Sequence, residues 1–204
     1  MNVLIIPEDF RKDQYVLRPI IRALLADLGK PRANVRVLTD PLLGGIDKAL
    51  DLDVLRDDVL ARYRGMVQLF LLLVDRDGKP GRGASLANVE REVRGALGGG
   101  RCLLAECAHQ EIEVWALAGA DDLPKTQGWA QVRAEMHPKE VYFEPYAASR
   151  GLSEEPGEGR DTLGREAASR LPRLKQLCPE IAHLASRVGA FVSQATCEGE
   201  PFDG

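Results

Sequence analysis

The run Leu69-Phe70-Leu71-Leu72-Leu73-Val74, followed at once by Asp75-Arg76-Asp77-Gly78, constrains this chain more than any other stretch. An unbroken apolar run of this length gives no polar face to water. It predicts a strand buried on both sides in a parallel sheet. Acids at i and i+2 just past its C-terminal end stand where open α/β sheets bind ligands. Such a pair offers hard oxygen donors, and a divalent ion such as Mg²⁺ is its usual occupant. The same composition recurs at the N-terminus, where Val3-Leu4-Ile5-Ile6 ends in Pro7-Glu8-Asp9. Strands one and three are commonly adjacent in doubly wound folds, which sets Glu8 near Asp75. Taken singly, either acidic group also reads as a helix cap or a solvated loop. Crowded together they repel one another unless a cation lies between them.

The pattern between and beyond these strands alternates. Tyr15, Leu17, Ile20, Ile21, Leu24, Leu25 and Leu28 keep helical spacing until Gly29 and Pro31 stop them. Val35–Leu38 reads as a second strand, Ile46 to about Tyr63 as a helix, and Met66–Val74 as the third strand. A loop from Gly78 to Gly83 leads to a helix capped by Ser85, then Arg101–Ala105 as a fourth strand and a helix from Ile112. This βαβαβαβα order predicts an α/β fold, a mainly parallel four-stranded sheet flanked by helices, over residues 1–120. Residues 121–192 are expected as a C-terminal helical extension packed on that core, with short helices at Leu163–Leu171 and Cys178–Phe191. Within it, the polar, glycine-rich Gly151–Gly164 reads as a mobile loop, and residues 193–204 as a flexible tail.

Net charge is −4 and the pI about 5.5, so no global basic field advertises nucleic acid. That counts against a simple DNA-binding module, and less against an enzyme whose metal reverses the sign of an acidic pocket. No apolar run is long enough for a bilayer, and the first residues read as a strand rather than a signal peptide. A cytoplasmic protein with no membrane association is therefore expected. Cys102, Cys107, Cys178 and Cys197 are scattered and read as reduced thiols. His109, His137 and His183 form no ligand pattern, and no Walker motif, nucleophile elbow or Rossmann fingerprint is present.

An N-terminal strand ending in Glu8, a long helix, and a buried strand ending in Asp75-x-Asp77 resemble the Toprim domain of topoisomerases, primases, recombination proteins and OLD-family nucleases. Further blocks resemble the small stand-alone branch related to OLD and RloB-like proteins. These are Pro7-Glu8-Asp9-Phe10 with Asp13 and Leu17-Arg18-Pro19-Ile20, then Ile112-Glu113-Val114-Trp115-Ala116-Leu117, then His137-Pro138-Lys139-Glu140. The likeness spans roughly residues 1 to 190, with only those blocks specific. OLD-type nucleases usually carry Glu-Gly-x-x-Glu as the first motif. Here Asp9 stands for the Gly and Lys12 for the second Glu, so Asp13 is the residue that could supply the second acid.

The resemblance implies Mg²⁺- or Mn²⁺-dependent phosphodiester hydrolysis. Asp75 and Asp77 would hold the metal, and Glu8 would be a further ligand or the general base. Asp13 is the added candidate ligand, and Glu113 would complete the cluster or else sit on a solvated helix face. Lys139 would pair a substrate phosphate, or else be an ordinary exposed lysine. Arg82 and Ser85 are candidates for phosphate contact at a helix N-terminus, while Arg76 is expected in a structural salt bridge. Relatives of this kind are often encoded beside an ABC- or AAA-type ATPase, a partner that could supply a DNA-binding surface in defence against foreign DNA. Two other classes fit the same residues: a non-catalytic interaction subunit, and an Asp-based phosphatase with Asp75 as nucleophile.

Overall fold

The computed structural model describes residues 1–121, 123 and 128–197, the last three without their side chains. Strands β1 (Asn2–Pro7), β2 (Asn34–Val37), β3 (Leu69–Asp75) and β4 (Cys102–Ala108) form one sheet in the order β2-β1-β3-β4. Every neighbouring pair is parallel. The α/β reading of the sequence therefore holds, and the reason is visible in β3. Leu69, Leu71 and Leu73 enter one apolar cluster while Phe70, Leu72 and Val74 enter another on the opposite face. β1 divides in the same way, with Val3 and Ile5 on one side and Leu4 and Ile6 on the other.

The first cluster is covered by α1 (Phe10–Asp27), α5 (Glu113–Leu117), α8 (Arg160–Ser169), α9 (Leu171–Leu177) and α10 (Pro179–Cys197). The second is covered by the short α2 (Ile46–Ala49), the turns leading to α3 (Ala61–Tyr63), and α4 (Arg82–Leu97). Two further short helices, α6 (Trp129–Ala134) and α7 (Glu144–Ser149), complete the first face. The helices after residue 128 thus share one continuous apolar cluster with α1 and the sheet. Among the described residues no helix is long and apolar enough to cross a membrane.

Four local expectations are corrected. The stretch from Ile46 to Tyr63 is not one helix. Asp51 turns its carboxylate onto the N–H groups of Asp53 and Val54 at 3.0 and 3.2 Å, and the chain resumes as a wider π-helical turn over Val54–Leu60. Ser85 is not the cap of α4. That helix starts at Arg82, and the Ser85 hydroxyl donates to the Gly81 carbonyl at 3.3 Å. The expected loop Gly151–Gly164 ends at Gly159, where α8 begins, because Arg160, Leu163, Gly164 and Ala167 make one buried helical face. α10 continues past Ser193 to Cys197, and residues 198–204 lie outside the described ones.

Candidate metal-binding active site

Strand order reverses between β1 and β3, and the register pairs Pro7 with Leu73. Glu8 therefore leaves β1 beside Asp75, the last residue of β3, at the topological switch point of the sheet. Asp9 caps α1, accepting the Arg11 N–H at 2.9 Å. One turn on, Asp13 reaches back to accept the Asp9 N–H at 3.0 Å. That exchange turns the Asp13 carboxyl toward the sheet edge, so β1, β3 and α1 each contribute one acid.

The β3 end is held by the turn after β4. Asp75 accepts the Ile112 N–H at 2.8 Å. Gln110, with φ +69° and buried, accepts the Arg76 and Asp77 N–H groups on its carbonyl and the Gly78 N–H on its side chain, at 2.9, 3.1 and 2.8 Å. Asp77 takes φ +50° in this turn and meets the Arg82 guanidinium at 3.5 Å.

The electrostatics follow from burial and crowding. Burial, and then the charges of Glu113, Asp13 and Glu8, hold the Asp75 carboxyl well above the usual carboxylate range. Burial, with Glu113, Asp9 and Glu8, pushes Asp13 up to about 7, against the Asp9 hydrogen bond. Glu8 is also raised, by burial first and Asp77 second, while Arg82 pulls it back. Among the described residues, Glu8 Oε2 is buried with no hydrogen-bond partner, as is Arg82 Nε.

Glu113 and Lys139 stand differently. Glu113 is buried at the start of α5, and its Oε1 accepts from Arg160 Nε at 2.9 Å and from Nη2 as well. Arg160 is 1% exposed, lies over the Phe143 ring, and binds Glu158 and the Gly157 carbonyl with Nη1. Glu113 thus belongs to the acidic cluster but brings its own counter-charge. Trp115, two residues on, is in the core as its position in the helix predicts, its Nε1 donating to Glu180 at 3.0 Å. Lys139 is docked through its backbone N–H on Glu111 at 2.7 Å, while its Nζ meets Glu140 at 3.3 Å. Burial opposes its charge, yet Glu140, Glu113 and Glu144 hold it above the usual lysine range.

Comparison with protein-family models, curated proteins and solved structures found no match.

Among the described residues, as placed, no three Asp, Glu, His or Cys side chains converge closely enough to hold one metal ion. The donors nevertheless suit a hard cation. They are all oxygen, one is a buried orphan, and two carboxyls are raised by burial and then by neighbouring carboxylates, a charge that a cation would offset. Glu8, Asp13 and Asp75 share one field, Asp77 joins it through Glu8, and Glu113 is tied to Arg160. Ser85 bonds within its own helix. Arg76 has no acidic partner in salt-bridge range among the described residues, contrary to expectation, and lines a cleft with Cys107 and His109 instead.

Sequence reasoning missed Arg160 and Gln110. Arg160 had a legible signal, since it stands at the apolar position of the periodic face it shares with Leu163, Gly164 and Ala167. Gln110 had none, because its role depends on a positive φ that its residue type does not announce.

Proposed function

We propose that this chain is a divalent-metal-dependent phosphodiesterase acting on nucleic acid. The observation that carries the reading is that Glu8, Asp13 and Asp75 lie in one electrostatic neighbourhood at the switch point of a parallel sheet, each carboxyl raised by burial and by its neighbours. Glu8, Asp75 and Asp77 are the residues that would hold Mg²⁺ or Mn²⁺, with Asp13 as an added ligand. The ion would supply charge stabilisation at the phosphate.

The chain's own groups supply the rest. Asp13, titrating near neutrality, suits proton transfer from an attacking water, the role that Glu8 fills if Asp13 is a ligand instead. Arg82, its Nε unpaired, offers a cation to the developing phosphate charge, and Lys139 is a second point charge near Glu113. Gln110 holds the Asp75–Gly78 turn in place throughout.

The test is calorimetric titration with Mg²⁺ and with Mn²⁺, followed by hydrolysis of bis(p-nitrophenyl) phosphate, for wild type and Asp75→Asn/Asp77→Asn. Binding and turnover in wild type, both lost in a variant with unchanged circular dichroism, are expected. Metal binding without turnover would move the interaction-subunit reading ahead, and a trapped phosphoaspartate at Asp75 would favour the phosphatase.

A further inference from the structure

The acidic chain carries a basic groove on the same helix that supplies Asp13. A cleft of about 690 Å³ runs between α1 and α8, lined by Gln14, Tyr15, Arg18, Arg22, Asp161 and Arg165, with Pro19 and Pro156. The groove exists because the two helices touch backbone to backbone. A Cβ at Gly164 would lie 2.6 Å from the Tyr15 carbonyl oxygen and 2.9 Å from Val16 Cα. Side chains on either side of that contact splay outward and form the walls.

Three arginines face one aspartate there, and Asp161 is committed to Arg165 at 2.9 Å. Arg18 and Arg22 are exposed, and among the described residues neither has an acidic partner in salt-bridge range. Asp27, further along α1, pairs with Lys175 at 2.6 Å. Like charges at i and i+4 on a helix repel, so this stripe is mildly unfavourable until an anion meets it. Tyr15 adds an aromatic wall, its ring seated on Gly157 where a Cβ would come within 2.5 Å. Arginines on a groove wall with an aromatic beside them suit a single-stranded backbone with stacked bases. Position joins the groove to the site. Gln14 directly follows Asp13, and Arg18 and Arg22 lie about 6 and 12 Å beyond Gln14 along the helix axis.

We propose that the α1/α8 groove binds the phosphodiester backbone of a nucleic-acid single strand and leads it to the carboxylates at the head of α1. This rests on the phosphodiesterase reading and names the surface that presents its substrate, which net charge alone conceals. The strand's phosphates meet Arg18, Arg22 and Arg165, and the metal-binding acids are not needed for that contact.

The test is fluorescence anisotropy of a labelled single-stranded oligonucleotide in EDTA, with the full chain as wild type, Arg18→Glu/Arg22→Glu and Arg32→Glu/Arg36→Glu. The last pair makes the same change in net charge away from the groove. The groove variant is expected to lose about tenfold or more in affinity, with the slope of log K against log salt shallower by about 1.4, while the control stays near wild type. Arg18→Ala/Arg22→Ala repeats the loss without charge reversal, and because both arginines are exposed the fold is expected to survive. Equal losses in both reversal variants, no loss in either, or no binding by wild type would overturn the proposal. Hydrolysis of bis(p-nitrophenyl) phosphate, too small to need the groove, reports separately on the phosphodiesterase reading. The groove variant keeps that activity if both stand, and its absence in wild type sinks the reading whatever the anisotropy shows.

Discussion

Asp13 accepts the N–H of Asp9, yet burial and the charges of Glu113, Asp9 and Glu8 outweigh that bond and push it up to about 7. In the unfolded chain it ionises near 3.8. Between those values the native state holds more protons, so stability falls as pH rises from about 4 to about 7 and stays low above that. Asp13→Asn, which keeps an acceptor for Asp9, is expected to stabilise the metal-free protein by about 1–3 kcal/mol above neutrality and to change little near pH ~4. Urea unfolding across that range checks the sign, and a variant destabilised above neutrality would show that the crowding has been misjudged. Arg160 poses the opposite case. Arg160→Met leaves the buried Glu113 carboxylate unpaired and is expected to cost about 3–5 kcal/mol. Glu113→Gln is expected to cost less, because Arg160 keeps Glu158 and the Gly157 carbonyl. If the double variant proves no better than Arg160→Met, the Glu113–Arg160 pair is not the origin of the loss.

Helix α8 brings Arg160 to Glu113, and its approach to α1 is set by Gly164. A methyl there would meet the Tyr15 carbonyl and Val16 Cα well inside contact distance, so Gly164→Ala is expected to cost about 1–3 kcal/mol through overpacking. Thermal unfolding checks the cost. It should be smaller in an Arg160→Met background, because lifting α8 also strains the Glu113–Arg160 pair, and strict additivity would argue against that coupling. Legibility from sequence divides along similar lines. β1 and β3 could be read because a strand buried on both faces has no polar alternation to confuse it, and their acids follow directly. The second wall of the site was hidden. Glycines at 157 and 159 made the approach to α8 look like open loop, although Gly157 is close-packed against Tyr15 and Gly159 caps the helix from the left-handed region. The break after α2 was hidden too, since an Asp51 side chain competing for backbone N–H groups leaves no mark on apolar periodicity.

Across the whole molecule, the proposed function has protons and cations compete for one acidic cluster, and that competition would tie the fold to the chemistry. Glu8, Asp13 and Asp75 are all raised by burial first, with neighbouring carboxylates adding to it, and either a proton or a divalent ion would offset that charge. A cation that binds only the folded state stabilises it by RT ln(1 + [L]/Kd), about 2.7 kcal/mol at a hundredfold excess over Kd. Ionised carboxylates would be the ligands, so the gain in melting temperature on adding Mg²⁺ should be large above the Asp13 titration at about 7 and shrink toward zero well below it. Asp75→Asn should abolish the gain at every pH, while Arg18→Glu/Arg22→Glu, altered only in the basic groove, should retain it. A Mg²⁺ effect independent of pH, or one that survives Asp75→Asn, would place the ion elsewhere on this acidic surface. The switch-point carboxylates would then be a strained structural cluster whose nearest stabilising charges are Arg82 and Arg160.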